Sequence, residues 1–110
     1  MLSVLVSCTH ETTISIPDNE PLMLFNYAGA SNKLSAKEVV LVKDKQQKLN
    51  TWISNNRTGW TPTPATYVPG VLVSGKGFGI NFLGNSVIIS YSEGQYVKSI
   101  SPSDYQFLIE

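Results

Sequence analysis

Cys8 and His10 stand two residues apart, and a thiol beside an imidazole is the pairing that nucleophilic catalysis uses. On a strand such residues share a face, but their Cα atoms are roughly 6.5–7 Å apart, which does not arrange a direct side-chain contact. The chain has one cysteine and one histidine, so neither a disulfide framework nor a Cys/His zinc site can be assembled. Its acids are Glu11, Asp18, Glu20, Glu38, Asp44, Glu93, Asp104 and Glu110. Most fall at expected turns, helix starts or the terminus, where carboxylates need no catalytic explanation, and their spacing specifies no glycosidase-like pair. The run Gly75-Lys-Gly-Phe-Gly79 is glycine-rich but flanked by strand patterns on both sides. A phosphate loop instead leads into a helix start, and a P-loop lysine is followed by Ser or Thr. No catalytic residue, metal ligand or cofactor is expected.

The aromatic residues offer binding rather than catalysis. Trp60 and Tyr67 lie in the segment WTPTPATYVP, whose three prolines exclude helix and favour an extended, polyproline-like path. Structureless connections of this length are uncommon in compact domains and often functional. Rigidly held rings make amphipathic anchors at low entropic cost, so Trp60, Tyr67 and, in the last strand, Tyr96 are the candidate partner-binding residues. The alternative is that Trp60 and Tyr67 cap the edge of the core. Asn56-Arg57-Thr58 matches a glycosylation sequon, which matters only in a eukaryotic secretory setting.

Leu5, Val6, Ser7 and Cys8 resemble the lipobox of bacterial lipoproteins. That resemblance implies cleavage before Cys8, a diacylglyceryl group on its sulfur, and a periplasmic or cell-envelope location with membrane contact only through the anchor. A complete signal also needs a basic start and an apolar stretch of about 7 to 15 residues, whereas the first basic residue is Lys33. The lipoprotein reading therefore requires translation to begin upstream, and otherwise the location is cytoplasmic. The alternation of Leu2, Val4 and Val6 with Ser3, Leu5 and Ser7 also fits a first strand. The polar, extended residues 9–15 suit a tether between lipid and domain.

The remaining chain, residues 9–110, reads as a single α+β domain. Its composition is that of a folded protein, 42% hydrophobic with Lys+Arg matching Asp+Glu, and that balance argues against nucleic acid as a partner. Strands are predicted near residues 13–16, 22–27 and 38–42, with a turn at Pro17, Asp18 and Asn19 and a loop over 28–35. Asp44 reads as the N-cap of a helix over 45–55, with Leu49, Trp52 and Ile53 as its core stripe, Lys45, Lys48, Asn50 and Asn55 toward water, and Gly59 as C-cap.

The C-terminal third threads as a meander through two-residue turns at Gly75-Lys76 and Gly84-Asn85. The first turn pairs Val73 with Phe78, and the second pairs Phe82 with Val87 and Ile80 with Ile89. Both put Val71, Val73, Phe78, Ile80, Phe82, Val87, Ile89 and Tyr91 on one face, and Ser74, Gly77, Gly79, Asn81, Ser86 and Ser90 on the other, with Leu72, Leu83 and Ile88 as apolar exceptions there. A fourth strand over 95–100 follows Glu93-Gly94. A two-residue loop there sets Lys98 beside Ile89 on the core face, and a three-residue loop buries Val97 and Ser99. A terminal turn carries Tyr105, Phe107 and Leu108 into the core.

The stretches LNTWISNNRTGW, GVLVSGKGFGINFLGN and GQYVKSISPSDYQFL are similar to a recurrent module of small bacterial proteins. The resemblance implies a shared architecture and transfers no functional residue. The expected fold is therefore α+β, a mainly antiparallel sheet with a C-terminal β-meander and one central helix packed on one face. The expected function is non-catalytic binding of another protein in the envelope, as an immunity- or inhibitor-type lipoprotein would do. The alternative is a peptidoglycan- or glycan-binding module using the aromatic loop, and a small hydrolase is the third reading.

Overall fold

The computed structural model describes residues 10–16, 20–27 and 37–109. The LVSC run with Cys8, the turn at residues 17–19 and the loop over 28–35 lie outside the described residues. The fold is α+β and mainly sheet. Seven antiparallel strands among the described residues are β1 (Met23–Asn26), β2 (Lys37–Val40), β3 (Thr61–Pro62), β4 (Val71–Gly75), β5 (Phe78–Leu83), β6 (Ser86–Tyr91) and β7 (Gly94–Ser99). They form one sheet in the order β2-β1-β4-β5-β6-β7-β3, so the C-terminal meander of β4 to β7 is its centre.

The meander follows from period-2 patterning and its turns. Val71, Val73, Ile80, Phe82, Val87 and Ile89 are all at most 1% exposed on the inner face. The first turn is Lys76-Gly77, one residue later than expected: Val73 faces Ile80, and Gly77 takes a φ of 83°. Gly75 is instead a strand residue whose absent side chain leaves room for Phe78, since a Cβ there would lie 2.5 Å from the ring. The second turn keeps the expected register, Phe82 opposite Val87 and Ile80 opposite Ile89. The third turn is Ser92-Glu93, which sets Lys98 opposite Val87 rather than Ile89. Lys98 stays on the inner face with its Nζ over Trp60, 6.0 Å from the ring centroid, and bonded to the Thr58 carbonyl.

Helix α1 (Lys43–Ser54) covers this face, burying Gln46, Leu49, Trp52 and Ile53. It starts earlier than the sequence suggests. Val42 is the N-cap, and Asp44 sits inside the first turn, where its charge complements the helix dipole and its carboxylate lies 3.4 Å from Lys48 Nζ. The helix ends at Asn55, not at Gly59; Asn56 Nδ2 satisfies the Trp52 carbonyl, and Gly59 uses its φ of 86° in the later reversal into Trp60. Lys45 and Asn50 are half-buried rather than solvated: Lys45 Nζ reaches the Leu108 carbonyl, and Asn50 accepts a long bond from Ile16 N–H.

Residues 10–16 are a packed strap, not a tether. Thr12, Ile14 and Ile16 are buried and alternate with exposed Glu11, Thr13 and Ser15, yet the only sheet-like pairing described is the bridge of His10 with Trp60. Arg57 replaces a neighbouring strand, its guanidinium donating to the carbonyls of Thr12 at 3.2 Å and Ile14 at 2.9 Å while its own carbonyl accepts Thr12 N–H. At the other end a 3₁₀ turn (Pro102–Tyr105) and α2 (Gln106–Ile109) carry Tyr105 and Leu108 into the core, with Phe107 partly buried beside them. No helix among the described residues is long and apolar enough to cross a membrane.

Candidate functional site

The outer face of the sheet carries a groove of about 720 Å³. Its floor comes from β4, β5, β6 and β7, where Ser74, Gly79, Ser90 and Gln95 are successive cross-strand partners and Leu72, Asn81 and Ile88 form the next row. Its roof is the proline-bearing loop over residues 63–69, including Tyr67. Ile88 is 3% exposed and stands outside the inner cluster, so it is the point at which the roof excludes water from the outer face.

Two side-chain amides hold the roof in place. Asn81 accepts the Gly70 N–H at 2.8 Å and donates to the Val68 carbonyl at 3.0 Å. Gln95 Nε2 donates to the carbonyls of Thr63 at 3.0 Å and Ala65 at 2.7 Å, and Ser90 Oγ donates to Gln95 Oε1. Pro64 and Pro69 remove N–H groups that the loop would otherwise have to satisfy, and they narrow its conformations before any ligand arrives. The Tyr67 hydroxyl is 2.9 Å from Thr63 Oγ1, which fixes the half-buried ring across the arch. Thr61 and Pro62 pair with Val97 and Tyr96 as an edge strand, a place where proline's missing donor is tolerated.

Among the described residues none of the side chains lining the groove is charged; they are hydroxyls, amides, aliphatics and one tyrosine ring. Such a surface offers no opposite charge to a phosphate or an ammonium group. It can hydrogen-bond a neutral polar molecule while packing against its apolar faces.

Of the three aromatic candidates, only Tyr67 lines this groove. Trp60 is 0% exposed: its ring meets Trp52 edge-on at 6.4 Å and its Nε1 donates to the Asn56 carbonyl at 2.6 Å. A ring so enclosed is a core residue, and the expectation that it presents a surface anchor gives way to the alternative that it packs into the core. Tyr96 follows the floor residue Gln95 directly but points to the inner face, opposite Ile89, so the sheet itself separates it from the groove.

Tyr96 belongs to a cluster that sequence reasoning missed. His10 stacks on Tyr96 with centroids 3.9 Å apart and planes 6° from parallel. Its Nε2 lies 2.6 Å from the Tyr91 hydroxyl and 3.3 Å from Glu93 Oε1, while Thr13 Oγ1 donates to the other carboxylate oxygen. The contacts span about eighty positions of sequence, so no local motif announces them. With His10 engaged by both groups and no Ser, Thr or Cys hydroxyl or thiol bonded to it among the described residues, the cluster lashes the strap to the end of β6 and β7. Among the described residues it assembles no nucleophile with its base, and Cys8 lies outside them. No group of three His, Cys, Asp or Glu among the described residues is placed to hold a metal ion. The sequon asparagine, Asn56, spends its amide on the Trp52 carbonyl.

Compared with family models, curated proteins and solved structures, the chain gives no match. Function is therefore read from the geometry of the groove.

Proposed function

We propose that the protein is a non-catalytic binding module whose ligand is a neutral, hydroxyl-rich chain, a cell-wall glycan strand being the class that fits. The observation that carries this is the uncharged groove under the pinned loop, with one tyrosine ring, serine and threonine hydroxyls and two amides around a small-residue floor. Sugars present alternating hydroxyl edges and apolar faces, which such a lining complements. The two roof-pinning amides leave the site largely pre-formed, so little ordering entropy is lost on binding. Anchorage in the envelope through a lipidated Cys8 belongs to the same proposal and is supported by the LVSC run.

The test is co-sedimentation with purified peptidoglycan. Wild-type protein should pellet with the polymer, and Tyr67→Ala should release it while leaving the fold intact. A protein that stays in the supernatant, or pellets equally with Tyr67→Ala, refutes the groove as a glycan site.

The reading as an immunity- or inhibitor-type protein that binds another protein has one observation in its favour. Phe25 and Tyr27, half-buried and with ring centroids 6.5 Å apart, lie on the β1 side of the outer face, and the adjacent edge strand exposes Val40 at 59%. A specific envelope protein recovered by wild type and lost with Phe25→Ala, with Tyr67→Ala unaffected, would favour it over the glycan reading.

A further inference from the structure

Gly79 is a glycine that the fold does not require. Seven glycines are described; Gly59, Gly77, Gly84 and Gly94 have φ values from 63° to 129°, and a Cβ on Gly70 or Gly75 would lie 2.5 Å from a neighbouring atom. Gly79 has neither reason. It sits inside β5 outside the left-handed region, and among the described residues a Cβ there would meet only Leu72 Cδ1, at 4.0 Å. Glycine weakens a strand interior, and its other use there is to let a ligand approach the backbone closely.

The open space above Gly79 is the groove. Gly79 pairs with Ser74 on one side and Ser90 on the other, and Ser90 pairs with Gln95. At the usual strand spacing of about 4.8 Å, these four residues span about 14 Å at right angles to the strands. Gln95 at one end is already committed to the roof, so the low point of the floor is the backbone at Gly79.

We propose that Gly79 is the specificity-determining floor of the groove: the ligand lies flat across β4, β5 and β6 with its closest approach at Gly79, and any side chain there excludes it. This rests on the glycan reading. It makes the ligand an oligomer rather than a single sugar, because a monosaccharide cannot reach across the two strand spacings, about 10 Å, from Ser74 to Ser90.

The experiment compares wild type, Gly79→Thr and Tyr67→Ala by thermal melting and by titration with neutral N-acetylglucosamine oligomers of increasing length. Threonine suits a strand and has room at this position, so Gly79→Thr should melt about 2–6 °C above wild type. It should nonetheless bind the oligomers at least tenfold more weakly, and wild-type affinity should rise with length before levelling off. A Gly79→Thr protein that binds like wild type while Tyr67→Ala does not overturns this inference and leaves the glycan reading standing. A Gly79→Thr protein that melts well below wild type also overturns it, since the glycine would then serve the fold. Wild-type protein that binds no oligomer refutes the functional reading, and this contact with it.

Discussion

Truncating Trp60 separates a core residue from a surface anchor more sharply than any other substitution. The ring is 0% exposed, packs edge-on against Trp52, lies under the Lys98 Nζ and donates from Nε1 to the Asn56 carbonyl. Removing a fully buried large aromatic costs about 3–5 kcal/mol. The lost indole hydrogen bond adds at most about 1 kcal/mol, because Asn56 is half-buried and water can replace the donor. The strap is weakened as well, since its backbone bridge from His10 is made to Trp60 itself. Against a total of about 5–15 kcal/mol for a domain of this size, Trp60→Ala is expected to cost about 4–5 kcal/mol, or about 15–20 °C in Tm. Urea unfolding followed by far-UV circular dichroism measures this without relying on tryptophan emission, which the substitution itself changes. Tyr67→Ala in the same assay should cost under about 1 kcal/mol, because the ring is half-buried and its hydroxyl meets only a neighbouring threonine. A Trp60→Ala protein within about 1 kcal/mol of wild type would refute the placement of Trp60 in the core.

Other expectations follow from single contacts. His10→Ala removes the stack on Tyr96 and the bonds to Tyr91 and Glu93; limited proteolysis should cut residues 10–16 several-fold faster, with a stability loss of about 1–2 kcal/mol, and unchanged cleavage would contradict the lashing role. Gln95→Ala frees two roof carbonyls, so amide exchange over residues 63–67 should accelerate while that of β4 to β6 does not. Asp104→Ala removes the acceptor for the Ser101 N–H and should lower stability by about 1 kcal/mol in a urea melt. Asp44→Ala should change stability by less than about 0.5 kcal/mol, because its pair with Lys48 is solvent-exposed.

The meander was legible because its faces do not depend on knowing each turn to the residue. Moving the first turn from Gly75-Lys76 to Lys76-Gly77 changes every partner by two positions, and two positions along a strand return to the same face. Val71, Val73, Ile80 and Phe82 therefore stay inward although their partners differ from those expected. The turn glycine is not legible, because the sequence shows that Gly75 and Gly77 are both glycine, but not that Gly77 supplies positive φ and Gly75 makes room for Phe78. The same reasoning covers Lys98: the third turn lies one residue earlier than expected, so it remains inward beside a different neighbour.

The site was half legible. The loop was marked by its prolines and the floor by its small residues, but nothing local says that the loop crosses that floor. The crossing depends on Asn81 and Gln95, whose amides look like ordinary strand polar residues until their partners 11 to 32 positions away are known. Trp60 and Tyr67 share one short segment yet differ in burial, Trp60 fully enclosed and Tyr67 half-buried, because Trp60 meets α1 and the strap while Tyr67 bridges to Thr63. The strap is hard to read for a related reason: polar residues at 11, 13 and 15 suggest a tether, while Thr12, Ile14 and Ile16 are buried between them.

The most direct test of the groove is a titration of isotopically labelled protein with neutral N-acetylglucosamine oligomers, following backbone amide shifts residue by residue. Binding as proposed moves the amides of Ala65, Thr66, Tyr67, Ser74, Gly79, Ser90 and Gln95 together, and leaves Trp60 and the His10 cluster in place. Absence of any shift at saturating oligomer, or shifts confined to Phe25, Tyr27 and Val40, would contradict it.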